Sequence, residues 1–360
     1  MKAWYLYGAN DMRLIEVPDP ELKEAHLIAK ILCAQPSITE TQMVGGSLNR
    51  FGFQERIKKE GAVPVPGHEY CARVVKSTEG SEFSPGDRVV GVAKIPCGRC
   101  LMCLGGRPLL CKQMNVMGAT IPGCFSELAL LPENSLIRVD DRVSDSEATC
   151  LQPLSDCVAA VDTAGLHIGD IVVIFGQGCL GINLLQVTRV SGAGMIIAVD
   201  VRDEILQVSK ELGADYVING RSTDSVDAIR RLTNERGADI IFEAAGGNPK
   251  QGLAGIQTMK QAIDSVTPGG KVVILSIYGQ SVELPIDVLR TRSLNLVGPR
   301  LTTTTHLRHA SRLVASEQVR LKPIITQVLT GIENVPKAFE MTADKGKQNS
   351  IMPVQVIMSS

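Results

Sequence analysis

Cys97, Cys100, Cys103 and Cys111 lie in one short run, PCGRCLMCLGGRPLLC. Thiolates at this density complete a tetrahedral Zn²⁺ site without help from elsewhere in the chain. A closed four-sulfur shell leaves no position for water or substrate, so the ion organises a lobe and does no chemistry. Four reduced, unliganded thiols or two disulfides are the alternatives, and the spacing argues against both. A chain of 360 residues exceeds what one hydrophobic core usually serves, so two domains are expected.

The texture of the chain changes near residue 160. Before it, short runs such as LIAKILC, ARVVKS, DRVVGVA and SELALLP are broken by Gly and Pro. They read as short strands, with a turn at Ser84-Pro85-Gly86-Asp87 entering one of them. A small β-barrel is expected there. After it come IVVIFG, MIIAVDV, DYVIN, DIIFEA and KVVILSIYG, apolar throughout and separated by helical stretches. That alternation predicts a parallel sheet covered on both faces. Past residue 300 the rhythm stops. HLRHASRLVASE reads as a helix and VPVQVIM as a closing strand.

Gly176-Gln177-Gly178-Cys179-Leu180-Gly181 follows the first of those strands and opens an apolar helix. Gly176 permits a tight turn, Gly178 lets a pyrophosphate approach the backbone, and Gly181 lets the helix pack on the strand. Asp200 ends the next strand, about 20 residues on, where a carboxylate meets the adenosine ribose hydroxyls and repels a 2′-phosphate. NAD is therefore expected over NADP. Arg202, two residues further on, softens that preference. Cys179, Leu180 and Ser276 complete the expected cofactor contacts. The GGNPK segment and Ser276 to Gly279 end later strands and are expected to touch the dinucleotide too.

Composition narrows the function classes. A net charge of -1 lacks the basic excess of a nucleic-acid binder. No apolar stretch approaches a membrane span, and Asp11 and Arg13 interrupt the N-terminus too early for a secretory leader. A cytoplasmic protein acting on a small molecule is expected, with neither nucleic acid nor membrane as partner. Cys33, Cys71, Cys124, Cys150, Cys157 and Cys179 then read as small core residues rather than disulfides. His26, His167, His306 and His309 have no motif around them. The run Arg56-Ile57-Lys58-Lys59-Glu60 reads as a solvated loop or helix face.

Taken with Gly67-His68-Glu69, the cysteine run and the Gly-rich turn make the chain resemble the medium-chain dehydrogenase/reductase superfamily, of the zinc alcohol and polyol (sorbitol-type) dehydrogenase kind. The resemblance implies an α/β protein. A GroES-like β-barrel domain with a structural zinc lobe would span residues 1–159 and 300–360, and a doubly wound Rossmann domain residues 160–299. It also implies a homo-oligomer, dimer or tetramer, and a second, catalytic zinc held by a Cys, the His of GHE and a Cys or Glu. Such a zinc lowers the pKa of the alcohol oxygen before hydride passes to the nicotinamide.

The chain departs from that pattern at the ligands. Where the family reads similarly to GICGTDLH, this sequence has Gln35-Pro36-Ser37-Ile38-Thr39-Glu40-Thr41-Gln42. Ser37 stands at the ligand Cys, Thr39 at the hydroxyl that relays the substrate proton, and Glu40 at the acid that orients the ligand His. Gln152, in QPLS, stands at the Glu of EPLS. The triad becomes Ser37, His68 and Gln152, two of them neutral oxygens and poor zinc donors. Glu69 is the candidate that rescues the site, given an irregular backbone beside His68. Direct hydrogen bonding of substrate by Ser37 and Gln152 is the metal-free alternative.

The expected function is NAD-dependent interconversion of a secondary alcohol and its ketone, on a polyol, sugar or cyclitol. Two alternatives stay open. One is a reductase of ketones or activated double bonds that has lost its catalytic zinc; the other is a non-enzymatic NAD(H)-binding protein.

Overall fold

The computed structural model describes residues 1–247, 254–278, 281–299, 302–344 and 350–358. It divides into two units. The first comprises Met1–Ser155, Leu301–Ser316 and Leu321–Ser360, and the second Asp156–Arg300 with Glu317–Arg320.

The strand His26–Gln35 is the hub of the first unit. It pairs antiparallel with Glu69–Ser77, with Leu128–Pro132 and with the closing strand Gln355–Ile357. Among the described residues seven strands join in this sheet, and Lys2–Leu6, Met12–Glu16 and Val63–Pro64 form a second one. Side chains such as Leu6, Leu27, Ile31, Phe53, Tyr70 and Phe125 fill one core. The turn before Arg88 forms as read, with Asp87 N–H donating to Ser84 O at 3.0 Å. Arg56 to Glu60 lie in the helix Phe53–Glu60, whose Ile57 is buried. Later segments return to this unit: Trp4 Nε1 donates to Ile332 O at 2.8 Å, and the Phe125 and Phe339 rings meet edge-on at 5.0 Å. The helix read after residue 300 spans Thr304–Ala315.

Glycine shapes the approach to His68. A Cβ at Gly67 would lie 2.5 Å from the Phe125 ring, so only glycine lets the chain pass that ring into Glu69–Ser77. His68 precedes the strand, outside its regular pleat.

Among the described residues of the second unit six strands run parallel. They are Ile171–Phe175, Met195–Asp200, Tyr216–Asn219, Ala238–Glu243, Val266–Ile274 and Asn295–Val297. Their spatial order is third, second, first, fourth, fifth, sixth, the dinucleotide-binding order. The order reverses between the first and fourth strands, whose last residues, Phe175 and Glu243, lie side by side. Continuous Val and Ile runs suit strands buried on both faces, and Val173, Ile197, Ile241 and Val272 share one core.

Candidate active site

Two short paired strands, Lys94–Ile95 and Asn115–Val116, frame the cysteine lobe. The four ligand atoms lie within 4.8 Å of one another. Sulfur–sulfur distances of 3.5 Å (Cys100–Cys103), 3.8 Å (Cys100–Cys111) and 4.0 Å (Cys97–Cys103) straddle the roughly 3.8 Å edge of a tetrahedron with Zn–S near 2.3 Å. Cys97 N–H donates to Cys111 Sγ at 3.4 Å. The Cys103 amide directed at Cys100 pulls that thiol down to about 6, while burial and the Cys100 sulfur push Cys103 up. These residues fit a structural zinc. The other six cysteines form no disulfide, and all but the half-buried Cys179 are buried.

The Gly-rich turn has the geometry its spacing predicts. Gly176 adopts φ +85, and a Cβ at Gly181 would sit 1.7 Å from Gly176 O. A Cβ at Gly178 would meet no protein atom within 4 Å, so the backbone is open above the N-terminus of the helix Cys179–Val190. Cys179 and Leu180 form its first turn, half-buried, and the Leu180 carbonyl accepts from Cys157 Sγ at 3.4 Å. Asp200 Oδ2 accepts from Gln177 N–H at 2.7 Å. Its Oδ1 accepts from Val201 N–H, Arg202 N–H and Arg202 Nε at 2.8, 3.1 and 3.2 Å. Asp200 thus pins the turn and clasps Arg202. These residues fit a dinucleotide.

Sequence reasoning missed Glu243. Its Oε1 accepts from Ala245 N–H, Gly246 N–H and Thr258 Oγ1 at 3.0, 2.6 and 2.8 Å, and its Oε2 from Tyr278 OH at 2.6 Å. Burial and this carboxylate push the Tyr278 phenol up. Ser276 Oγ donates to Glu243 O at 3.4 Å, which ties that loop to the strand end. The signal was available: an acid, Glu243, closing the apolar run IIF. Residues 248–250 of GGNPK and Gly279 lie outside the described residues.

Two hydrogen-bonded sets surround the GHE segment. In the first, Ser37 caps the helix Ile38–Val44 and forms a capping box with Glu40. Ser37 Oγ accepts from Glu40 N–H at 3.3 Å, and Ser37 N–H donates to Glu40 Oε2 at 2.7 Å. Glu40 Oε1 lies 2.6 Å from His68 Nδ1. The pair lies at ion-pairing distance, although Glu40 Oε1 has no partner in hydrogen-bond geometry, so the contact brings the ring and the carboxylate together without fixing the tautomer. The His68 side chain is 21% exposed while Glu40 is buried. Thr39 sits half-buried beside Glu40. In the second set Glu69, also buried, accepts at Oε2 from Gln35 Nε2 at 2.6 Å. Gln35 Oε1 accepts from Gln355 Nε2 at 3.0 Å and from Cys150 Sγ at 3.6 Å. Gln152 follows Cys150 and is buried at the start of the helix Leu151–Ala164.

The expected ligands fit a catalytic zinc poorly. Ser37 is a helix cap and offers, like Gln152, a neutral oxygen, so the good donors come down to the His68 imidazole and the Glu69 carboxylate, which accepts one amide hydrogen bond at Oε2, where zinc takes three or four. Burial pushes the Cys33 thiol up to about 11 and raises Cys71 as well, away from the thiolate form that ligates metal. Among the described residues, the four cysteines of the lobe are the one group of three or more His, Cys, Asp or Glu placed to hold an ion.

Comparison with known proteins places this geometry in context. Residues 37–141 match the family described as the alcohol dehydrogenase GroES-like domain, and residues 179–316 the family of zinc-binding dehydrogenases. The chain is 30% identical over 342 residues to the L-threonine 3-dehydrogenase of Pyrococcus horikoshii, an alignment covering 93% of this chain and 92% of that one. It is 27% identical over 292 residues to a sorbitol dehydrogenase of Bacillus subtilis, covering 80% of this chain and 78% of that one. A crystal structure from Sinorhizobium meliloti, described as a zinc-binding dehydrogenase bound to NADP, superposes with a TM-score of 0.85 at 26% identity and covers 99% of this chain and 98% of that one.

Proposed function

The chain belongs to the zinc-containing medium-chain dehydrogenase/reductase superfamily, as a NAD-dependent oxidoreductase of alcohols and ketones, and on that premise we propose a substrate class and a role for each site residue. The substrate is a small polar secondary alcohol, a polyol, sugar or cyclitol, or the corresponding ketone. Two relatives named for threonine and sorbitol support a compact, hydroxyl-bearing substrate.

One observation carries the reading: His68 Nδ1 lies 2.6 Å from the buried Glu40 carboxylate. In this reading the Nδ1 side of the ring faces the carboxylate, and Nε2 takes the hydroxyl proton on oxidation and returns it on reduction. Glu40, held by Ser37 N–H, stabilises the ring while it carries that proton. Ser37 accepts from Glu40 N–H, and its own O–H remains a donor for the substrate oxygen. Thr39 passes the proton onward, and the Gln152 amide orients a further substrate hydroxyl. Glu69 stays turned toward Gln35. The bound nicotinamide supplies the hydride acceptor or donor. Gly176, Gly178, Cys179, Leu180 and Gly181 seat its pyrophosphate, Asp200 takes the ribose with Arg202 clasped behind it, and Ser276 borders the nicotinamide end. The assembly is a cytoplasmic homo-oligomer, dimer or tetramer.

A screen of polar secondary alcohols and ketones, read by NADH absorbance, tests the reading. Turnover of a polyhydroxylated substrate is expected. Intact NADH binding with no turnover of any alcohol or ketone would overturn it in favour of a binding protein. Cofactor choice is a second check. A 2′-phosphate beside Asp200 brings like charges together, so kcat/KM should favour NAD, and Asp200→Ala should narrow that preference by about tenfold or more. A wild type that prefers NADP would give the ribose site to Arg202.

A further inference from the structure

We propose that Tyr278 and Glu243 form a latch that sets one lip of the dinucleotide crevice, with Tyr278 a positioning residue for the nicotinamide half of the cofactor. The proposal rests on the assignment of the loop at Ser276 to the nicotinamide end, and it involves the second unit alone.

The sheet fixes the place. Phe175 and Glu243 end the first and fourth strands side by side, at the switch point where a dinucleotide lies. The segment after Glu243 rests on the Gly-rich turn. Ala244 N–H donates to Phe175 O at 2.9 Å, and a Cβ at Gly176 would lie 2.8 Å from Ala245 Cβ and 2.9 Å from Ala244 O. The segment after the fifth strand is tied to the same residue through its main chain: Glu243 O accepts from Leu275 N–H at 2.9 Å and Ser276 N–H at 3.3 Å. The Glu243 carboxylate then joins the two segments. Oε1 takes Ala245 N–H, Gly246 N–H and Thr258 Oγ1, and Oε2 takes Tyr278 OH. Asp200, the adenosine carboxylate, ends the second strand, on the other side of the first strand from all of these. The latch therefore belongs to the half of the crevice away from the adenosine.

The chemistry makes the contact a strong one. Glu243 is fully buried, and a buried carboxylate is costly unless donors answer it. Tyr278 OH meets Oε2 at 2.6 Å, the length of a charge-assisted O–H···O⁻ bond. A phenylalanine would keep the ring and its packing but take this donor away. A glycine gives the ring its path. A Cβ at Gly246 would lie 2.5 Å from the ring carbon that bears the hydroxyl, so the phenol reaches Glu243 across a position that admits no side chain. Gly246 also donates its N–H to the same carboxylate at 2.6 Å. With Ser276 held at the strand end and Tyr278 at the carboxylate, the loop has its shape before a cofactor arrives, and less ordering remains to oppose binding.

Binding of the whole cofactor, set against binding of its adenosine half, decides this without any substrate. Tyr278→Phe should raise the Kd for NADH by about tenfold or more, the scale of one hydrogen bond to a charged group, and leave the Kd for AMP unchanged. NADH fluorescence and calorimetry with AMP give the two values. Gly246→Ala breaks the same contact by displacing the ring, so it should weaken NADH to a similar degree. The double variant should then be no weaker than either single one, because both remove one interaction. NADH and AMP weakened alike would make Tyr278 a structural residue of the unit and overturn the proposal, as would a Tyr278→Phe protein that binds NADH like the wild type. Additive losses in the double variant would refute the latch. If Gly246→Ala does not fold, Glu243→Gln takes its place in the same cycle. A wild type that binds AMP but gains nothing from the rest of NADH would instead take down the nicotinamide assignment, a failure distinct from an unchanged Tyr278→Phe.

Discussion

Within the first unit, the thiolate lobe and the surroundings of His68 are held together in opposite ways. The helix Leu101–Leu104 and the turn Pro108–Leu110 bury no side chain, and Leu101 and Leu104 are 84% and 73% exposed. With little apolar burial between its framing strands, the lobe depends on its ion for a fixed shape, since binding a structural zinc supplies folding free energy directly. Around His68 the positions are set by sheet register, a capping box and buried amides, over a core that contains Tyr70 and Phe125. Order there has these sources besides any ion. The contrast teaches that a family's two ion sites answer to different constraints. A lobe built by its ion depends on every ligand, whereas residues mounted on a packed sheet keep their places through register and hydrogen bonds.

The sharpest way to break that comparison is to remove one sulfur. Cys103→Ala should take zinc from one per chain to none and open residues 97–111 to limited proteolysis. Affinity for NADH should be unchanged, because the dinucleotide turn belongs to the other unit. Metal analysis, protease mapping and NADH titration read the three outcomes. If zinc stays bound to three sulfurs with the lobe intact, the lobe has a core of its own and the contrast fails.

His68 tests the other side. His68→Ala should lower kcat by about 10²–10⁴-fold, the range for loss of a general acid–base group. Its zinc content should remain at one. Glu40→Gln keeps an acceptor for Nδ1–H but loses the charge, so a smaller loss of about 10–100-fold is expected. Dialysis of the wild type against a mild chelator that spares the sulfur site should leave kcat unchanged. Activity that disappears with the first metal removed would put a metal at His68 and make the two regions alike.

What could be read from the sequence follows the same division. Cys97 to Cys111 and Gly176 to Gly181 are contiguous motifs whose members meet through local geometry, so spacing alone forecast both. The parallel sheet was legible because strands buried on both faces are apolar at every position. Glu40 beside His68 followed from the resemblance. The network of Glu69, Gln35, Cys150 and Gln355 was not legible. Its members are joined by the pairing of Glu69–Ser77 and Gln355–Ile357 with the hub strand, and register across so much chain leaves no local trace. The one signal was Gln35 at a glycine position, which gains meaning only when its cross-strand partner is known to be a carboxylate.

The smallest expected effect concerns Ser37, which the two kinds of site would use differently. As a metal ligand, its loss would appear in metal content. As a helix cap it accepts from Glu40 N–H while Glu40 accepts from Ser37 N–H, and that reciprocal pair also steadies the carboxylate that holds His68. Ser37→Ala should therefore lower stability by about 1 kcal/mol, a fall in Tm of about 2–4 °C for a unit of this size, with zinc still at one per chain. Ser37→Gly separates the cap from the hydroxyl. Glycine is a tolerable N-cap and should cost only about a few tenths of a kcal/mol. It lacks the hydroxyl all the same, so kcat/KM should fall about equally in both variants if the Ser37 O–H donates to the substrate oxygen. Thermal melts set against kcat/KM for the pair decide the matter. Unequal stability with equal kinetic loss is the signature of a residue that caps a helix and touches substrate at once, and equal stability would remove the cap from the account of how His68 is held.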